Sequence, residues 1–299
     1  MAGLVRDEAV SGYLSAYADP FGVVNPPGLP TFPSQPSRKI ALRIKGTLTV
    51  GTGGWGFAAL QPNPASDATS LLYSGSTYAG TSIATSGTGV NAANFTNAPV
   101  VTASYTSSAY QQRMVMCALR VRYTGSENSR GGVIYPANLP DHKTLDGITA
   151  TALTSNAPCA DSYPVTRQWV TVRSHPVTPA ETDYQSNIGF AGVPIIGFLI
   201  SSTAGLTFEF DGVAMFEIIG GVGSDCTMTK ASVHGPGILS QLTNNPIVHN
   251  AAQNAARWTL GRLANSVFST VTNAWTGPRL GDASMRAIGR GAMQAIEII

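Results

Sequence analysis

Three features of this sequence predict an all-β fold: an eight-stranded jelly-roll sandwich with an extended N-terminal arm and a C-terminal amphipathic helical segment. About eight segments carry period-two alternation or a β-branched and aromatic run, and no helix-period stretch separates them. The stretches between them are long, nearly uncharged and rich in Ser, Thr, Gly and Asn. Strands without crossover helices pack as facing antiparallel sheets, not as a parallel α/β layer.

The 299 residues are enough for one large β domain with tails. Charged residues make up 11% of the chain, against about 25% in ordinary soluble proteins. Charge this sparse suggests a surface largely covered by copies of the same chain. The net charge is +2, but residues 255–299 hold five arginines against Asp282 and Glu297, so the tail carries +3 and residues 1–254 carry −1. Cys117, Cys159 and Cys226 lack metal-ligand spacing and are expected as free thiols. No run reaches the roughly 18 to 20 apolar residues of a membrane span. The start, MAGLVRDEAV, has neither the basic residues nor the apolar run of a signal peptide, so the protein is expected to begin soluble and unsecreted.

Residues 1–37 read as an arm. LVRDEAVSGYLSAYA is compatible with a helix, and the six prolines of DPFGVVNPPGLPTFPSQPS exclude regular structure after it. Such an arm is expected to lie across a neighbouring surface. In RKIALRIKGTLTV, residues Ile40, Leu42, Ile44, Leu48 and Val50 share one face, with Arg38, Arg43 and Lys45 between them, which predicts a half-buried strand with a basic exposed side. GTGGWG lacks the Gly-Lys-Ser/Thr ending of a phosphate loop and reads as a turn before the strand WGFAALQP. Residues 61–112 read as long loops with one or two short strands. In RMVMCALRVRYTG, Val115, Cys117, Leu119, Val121 and Tyr123 are expected on one face and Arg113, Arg120 and Arg122 at or beyond the edge of the other. GGVIYP, YPVTRQWVTVRS, GFAGVPIIGFLISS and LTFEFDGVAMFEIIGG supply the remaining strands. The sandwich is thus bounded at 38–235.

Residues 236–254 form a linker broken by Pro236 and Pro246. The period then changes: Leu260, Leu263, Ala264, Val267, Val271 and Ala274 recur at helical spacing, ended by Gly277-Pro278. A weaker helical pattern follows, with Met285, Ile288, Ala292 and Ile296 opposite Arg286, Arg290 and Glu297.

Turnover catalysis finds little support. The histidines, 142, 175, 234 and 249, form no metal-ligand spacing, and Gly-x-Ser-x-Gly is absent. Asp141, His142 and Asp146 cluster in one loop; a cation site is one reading and a solvated turn the simpler one. At the change of period stands Asn254, one of six Asn-Ala pairs. It can cap the helix that begins at Ala255. Alternatively, its amide can attack its own backbone carbonyl, or polarise it for water, and break the bond to Ala255. Either route needs a proton shuttle, for which a carboxyl in an apolar pocket is suited.

AAQNAARW, residues 251–258, resembles the maturation site of nodavirus capsid proteins, where Ala-Ala-Gln-Asn-Ala, a Trp and an amphipathic helix mark the junction between shell protein and released peptide. YLSAYADPFGVVNPPGLPTFPSQPSRK is similar to the stretch that enters the shell in that family. The resemblance implies a capsid protein with Asn254 and Ala255 as the scissile pair and Asp19 as the proton-shuttling carboxyl. This chain reads Asp-Pro-Phe where the family reads Asp-Phe, which leaves Asp7 and Glu8 as alternatives. It also implies an icosahedral homo-oligomeric shell in a virion assembled in the host cytoplasm and a genome partner of single-stranded RNA. No cofactor is implied, and calcium between subunits has no assignable residues. The C-terminal peptide 255–299, with Arg257, Arg262, Arg279, Arg286 and Arg290, would face nucleic acid or a host membrane. Where the family has an Arg-rich N-terminal arm, this chain has only Arg6 before Arg38. The reading from another class is a carbohydrate-binding or hydrolytic β-sandwich.

Overall fold

The alternating segments pair into two antiparallel sheets. The computed structural model describes residues 8–32, 35–62, 71–93, 110–139, 142–155, 162–186, 193–220, 227–228 and 239. Eleven strands lie among them: β1 Pro36–Thr49, β2 Trp55–Leu60, β3 Leu71–Ser74, β4 Val90–Ala93, β5 Gln111–Tyr123, β6 Val133–Asn138, β7 Tyr163–Pro164, β8 Val170–Ser174, β9 Ile196–Ser201, β10 Thr207–Ile219 and β11 Thr227–Met228. One sheet runs β11-β1-β10-β5-β8 and the other β4-β3-β2-β9-β6-β7. Their facing sides share a core that includes Leu42, Leu119, Phe210 and Phe216 from the first sheet and Leu60, Ile134, Phe198 and Ile200 from the second. This is a β-sandwich: β3 and β4 are the short strands expected within 61–112, the segment at 163–174 divides into β7 and β8, and β11 was not expected. Helices were not expected between strands, yet α2 (Ala150–Thr154) and α3 (Pro179–Thr182) stand there, and α1 (Glu8–Ala18) precedes the first strand.

The first strand follows its predicted alternation: Ile40, Leu42, Ile44, Leu48 and Val50 are buried in the core. Its other side is not simply exposed, because α1 and the arm cover much of that face. Val10, Tyr13, Ala16 and Tyr17 of α1 recur at helical spacing and pack on Val115, Met116, Ala118, Val213 and Met215. Phe21 and Val23 continue the cover, Leu29 is buried in it, and Leu239 joins from beyond β11. The arm therefore lies on the sheet of its own chain, not only on a neighbour as the prolines suggested. Arg43 secures it, donating from Nη1 to Phe21 O at 2.9 Å and from Nη2 to Val23 O.

β5 departs from its predicted alternation at one residue. Met116 pairs with Met215 but Met114 pairs with Phe216, so Val115 is the extra residue of a β-bulge. Cys117, Leu119, Val121 and Tyr123 face the sandwich core as expected, whereas Val115 turns to the α1 side and Met114 takes the core position. The bulge leaves a backbone carbonyl outside the regular ladder, and Tyr13 donates to it from its hydroxyl at 3.3 Å.

The same bulge puts Arg113 on the α1 side, opposite Glu217. Both side chains are fully buried, and Arg113 Nε and Nη2 each lie 2.6 Å from Glu217 Oε2. Glu217 also accepts from Leu29 N at 3.2 Å and from Ser37 Oγ at 2.9 Å, with Lys39 Nζ 3.7 Å away. Arg113 donates to Thr182 O at 3.0 Å and Leu29 O at 3.3 Å, and lies 4.4 Å from the Tyr184 ring centroid. One ion pair thus joins β1, β5, β10, the arm and the segment after α3. Breaking a buried pair leaves an uncompensated charge, at a cost of about 3–5 kcal/mol. Arg113→Leu is expected to lower unfolding stability by about that amount in urea titration, while Arg113→Leu with Glu217→Leu recovers part of it.

Candidate functional site

The end of α1 presents Asp19, the carboxyl that the resemblance assigns to proton shuttling. Asp19 follows the helix directly, and its Oδ1 accepts from Gly22 N at 3.1 Å, closing the turn Asp-Pro-Phe-Gly. A side chain at residue 22 would collide with Asp19 Oδ2, so glycine is required for this carboxyl position. A carboxylate at a helix C-terminus meets the negative end of the helix dipole. The compensating charge is Arg173, which donates from Nη2 to Ala18 O at 3.1 Å. Arg173 is 1% exposed, and its Nε and Nη1 have no hydrogen-bond partner among the described residues. Burial draws its pKa below the usual arginine value, with Tyr17 and Asp19 acting in the opposite direction. Tyr17, buried beside it, has its phenol pushed up to about 12 by desolvation, and its ring stands edge-on to His175 at 5.5 Å. Asp19 is partly exposed. These surroundings are not the apolar pocket that proton shuttling calls for: the carboxyl is hydrogen-bonded and a buried cation serves the same helix end.

A second polar group occupies the end of the sandwich beside β8. His142 Nε2 lies 2.6 Å from Ser174 Oγ and its Nδ1 2.7 Å from Glu181 Oε1. Glu181 Oε2 accepts from Val177 N at 2.7 Å and Thr178 N at 3.2 Å, at the start of α3. His142 holds a φ of 49°, a region in which histidine is enriched among non-glycine residues. The order hydroxyl, imidazole, carboxylate is that of an acyl-transfer relay. Its nucleophile is not reachable, however: Ser174 is 2% exposed and sits opposite Cys117 on the inward side of the sheet. The group therefore acts as a strut that fixes the loop at His142 and α3 against β8. This corrects the solvated-turn reading for His142. Asp146, by contrast, is exposed and accepts from Thr85 N at 3.0 Å.

Asn254, Ala255 and the arginines 257, 262, 279, 286 and 290 lie outside the described residues, as do Asp7 and Asp141. Glu8 opens α1. Among the described residues no group of three or more His, Cys, Asp or Glu side chains is arranged to hold a metal ion, and no helix is long and apolar enough to cross a membrane. Cys117 is a free, buried thiol whose pKa desolvation raises. Sequence reasoning missed Arg113, Glu217, Arg173 and the Ser174–His142–Glu181 group. Only Glu217 had a visible signal, a charge inside the otherwise apolar run GVAMFEII.

The fold is similar to that of infectious bursal virus derived T=1 particles, with 10% identity over 87% of this chain and 96% of that one and a TM-score of 0.51. It is likewise similar to the D431N mutant VP2 protein of infectious bursal disease virus in derived T=1 particles, with 9% identity over 91% and 99% and a TM-score of 0.52. At these identities the likeness is one of fold. No protein-family model and no curated protein matches the chain.

Glu181 supplies a pH test of the strut. Desolvation raises its pKa, but the hydrogen bonds and charge of His142 and the two backbone donors outweigh it and hold the carboxyl below its usual value. A depressed folded pKa stabilises fully above the unfolded value, about 4.3, and that contribution is lost as pH falls through the folded value. The destabilisation caused by Glu181→Gln is therefore expected to be constant above about pH 5 and to shrink below about pH 4, as read by urea unfolding at each pH. A penalty independent of pH would count against the strut.

Proposed function

We propose that this chain is a viral coat protein that assembles with copies of itself into an icosahedral shell enclosing a genome, and that it resides in the virion. The observation that carries this reading is the strand order β1-β10-β5-β8 facing β2-β9-β6-β7, together with the likeness to viral particle proteins along nearly the whole chain. That order supports our reading of the sandwich as two interlocked Greek keys, a jelly roll. The charge-poor composition and the exposed apolar side chains Val24 and Phe32 of the arm fit a surface that neighbouring copies cover. The hydroxyl–imidazole–carboxylate group described at Ser174 is buried and does not favour the hydrolytic reading.

Within that reading, the resemblance of AAQNAARW to the nodavirus maturation site supports a single self-cleavage between Asn254 and Ala255, with Asp19 moving the proton. Asp19 stands on the face of the sheet where the arm and Leu239 converge. α1 and Leu239 thus pack on one side of the sandwich, which supports a meeting of the linker that follows Leu239 with Asp19 on that side. The tail 255–299 would be released to bind a host membrane in an interfacial mode, helped by its five arginines.

Full-length protein is expected to form closed particles in negative-stain microscopy; a monomer or small oligomer would overturn the coat-protein reading. Mass spectrometry of matured particles is expected to find chains 1–254 and 255–299. Asn254→Ala and Asp19→Asn should each leave particles intact and abolish the shorter products, and cleavage persisting in either variant would remove that residue from the mechanism.

A further inference from the structure

On the side of the first sheet that carries the arm, the residues form rows across β1, β10 and β5. Lys39, Glu217 and Arg113 make one row; Ala41, Met215 and Met116 the next; then Arg43, Val213 and Ala118; then Lys45, Asp211 and Arg120; finally Thr47, Glu209 and Arg122. The first row is buried, the middle rows hold α1, and the last two reach solvent. There Arg120 binds Asp211 Oδ2 through Nε at 3.2 Å and Nη2 at 2.7 Å, and Arg122 binds Glu209 Oε2 through Nε at 2.8 Å and Nη2 at 2.6 Å. The guanidinium carbon of Arg120 lies 4.0 Å from the Phe21 ring centroid and 4.4 Å from that of Trp169, and Arg122 lies 4.5 Å from Trp169. Aromatic and cation thus alternate in the order Phe21, Arg120, Trp169, Arg122.

We propose that this ladder is a binding surface for single-stranded nucleic acid. A merely solvated charged face needs no tryptophan, whereas unpaired bases stack on aromatic rings and guanidinium planes alike. The side chain of Lys45 is 69% exposed and that of Arg122 41% exposed, and Arg167, also exposed, lies two residues before Trp169. Among the described residues Lys45 and Arg120 pair with Asp211 and Arg122 pairs with Glu209, and the side chain of Asp211 is 4% exposed. The surplus is positive, as a phosphate backbone requires. Bases would stack at Trp169 and Arg122, with phosphates at Lys45, Arg167 and the Nη1 group that Glu209 leaves to Arg122. The coat-protein reading supplies the source of the strand, and the inference rests on it in that respect alone.

The test is fluorescence anisotropy of uridine and thymidine 20-mers with the full-length chain across a salt series, beside microscopy of the same preparations. Lys45→Ala with Arg167→Ala, both on exposed positions, is expected to make the log–log salt slope shallower by about 1.4. Trp169→Leu is expected to weaken single-strand binding about tenfold with little change in slope, and to leave duplex binding unaltered. Loss of affinity for the uridine strand, the thymidine strand or both supports the surface and says which nucleic acid it takes. Unaltered affinity and slope in both variants would overturn it, as would a loss confined to binding of anionic phospholipid vesicles. Unaltered protein that binds the strands without forming particles removes the coat-protein reading alone. Particles indifferent to both variants remove this surface alone.

Discussion

The buried pair of Glu217 and Arg113 is the constraint on which the arm-bearing side of the molecule depends. A carboxylate out of water is tolerated only when its charge and lone pairs are met, and here they are met by groups from β1, β5 and the arm. Each group must therefore be in place before the charge is compensated, which couples the docking of the arm to the pairing of the sheet. The bulge at Val115 is part of that solution. Without the extra residue Arg113 would fall on the core side of β5, among aromatic and aliphatic residues, and Glu217 would lack its partner.

The same logic governs register along the whole of β10. Its acids at 209, 211 and 217 all stand on one side, each between residues of β1 and β5, and all three have a cation opposite on β5. A slip of one residue would drive all of these charges into the sandwich and bring Phe208, Phe210 and Phe216 out of it. Hydrophobic alternation and cross-strand charge pairing thus specify one register twice over. The pairs contribute differently to stability: the buried one demands completion, whereas the half-exposed Arg122–Glu209 pair is worth little and leaves its cation free to meet another anion.

Much of the sandwich was legible because burial on one side of a strand writes itself into the sequence as period two. Ile40 to Val50 in β1 and Cys117 to Tyr123 in β5 are clear cases. The bulge was not legible, since Met114 and Val115 are both apolar and either can fill the core position. Nor was the double cover of the first sheet: the residues under α1, such as Met116, Ala118 and Met215, alternate with core residues and so produce continuous apolar runs. The burial of Arg113 and Arg173 was not legible, because their partners, backbone carbonyls and a distant carboxylate, carry no sequence signal. Asp19 was found through the motif around it, yet what holds it, Gly22 and the end of α1, belongs to the turn and not to any chemistry the motif implies.

That turn bears on how a shell could control its own maturation. In the subunit described, Asp19 is partly exposed and spends Oδ1 on Gly22 N. An Asn254 brought near it would have to supply the missing dryness. Packing of the linker, or of a neighbouring copy, against the partly exposed carboxyl would strip water from it, beside a buried Arg173 that already holds the end of the helix. On this argument the exposed carboxyl is the expected state of an unassembled chain. A subunit whose Asp19 was already dry would be able to cut itself before the shell had closed.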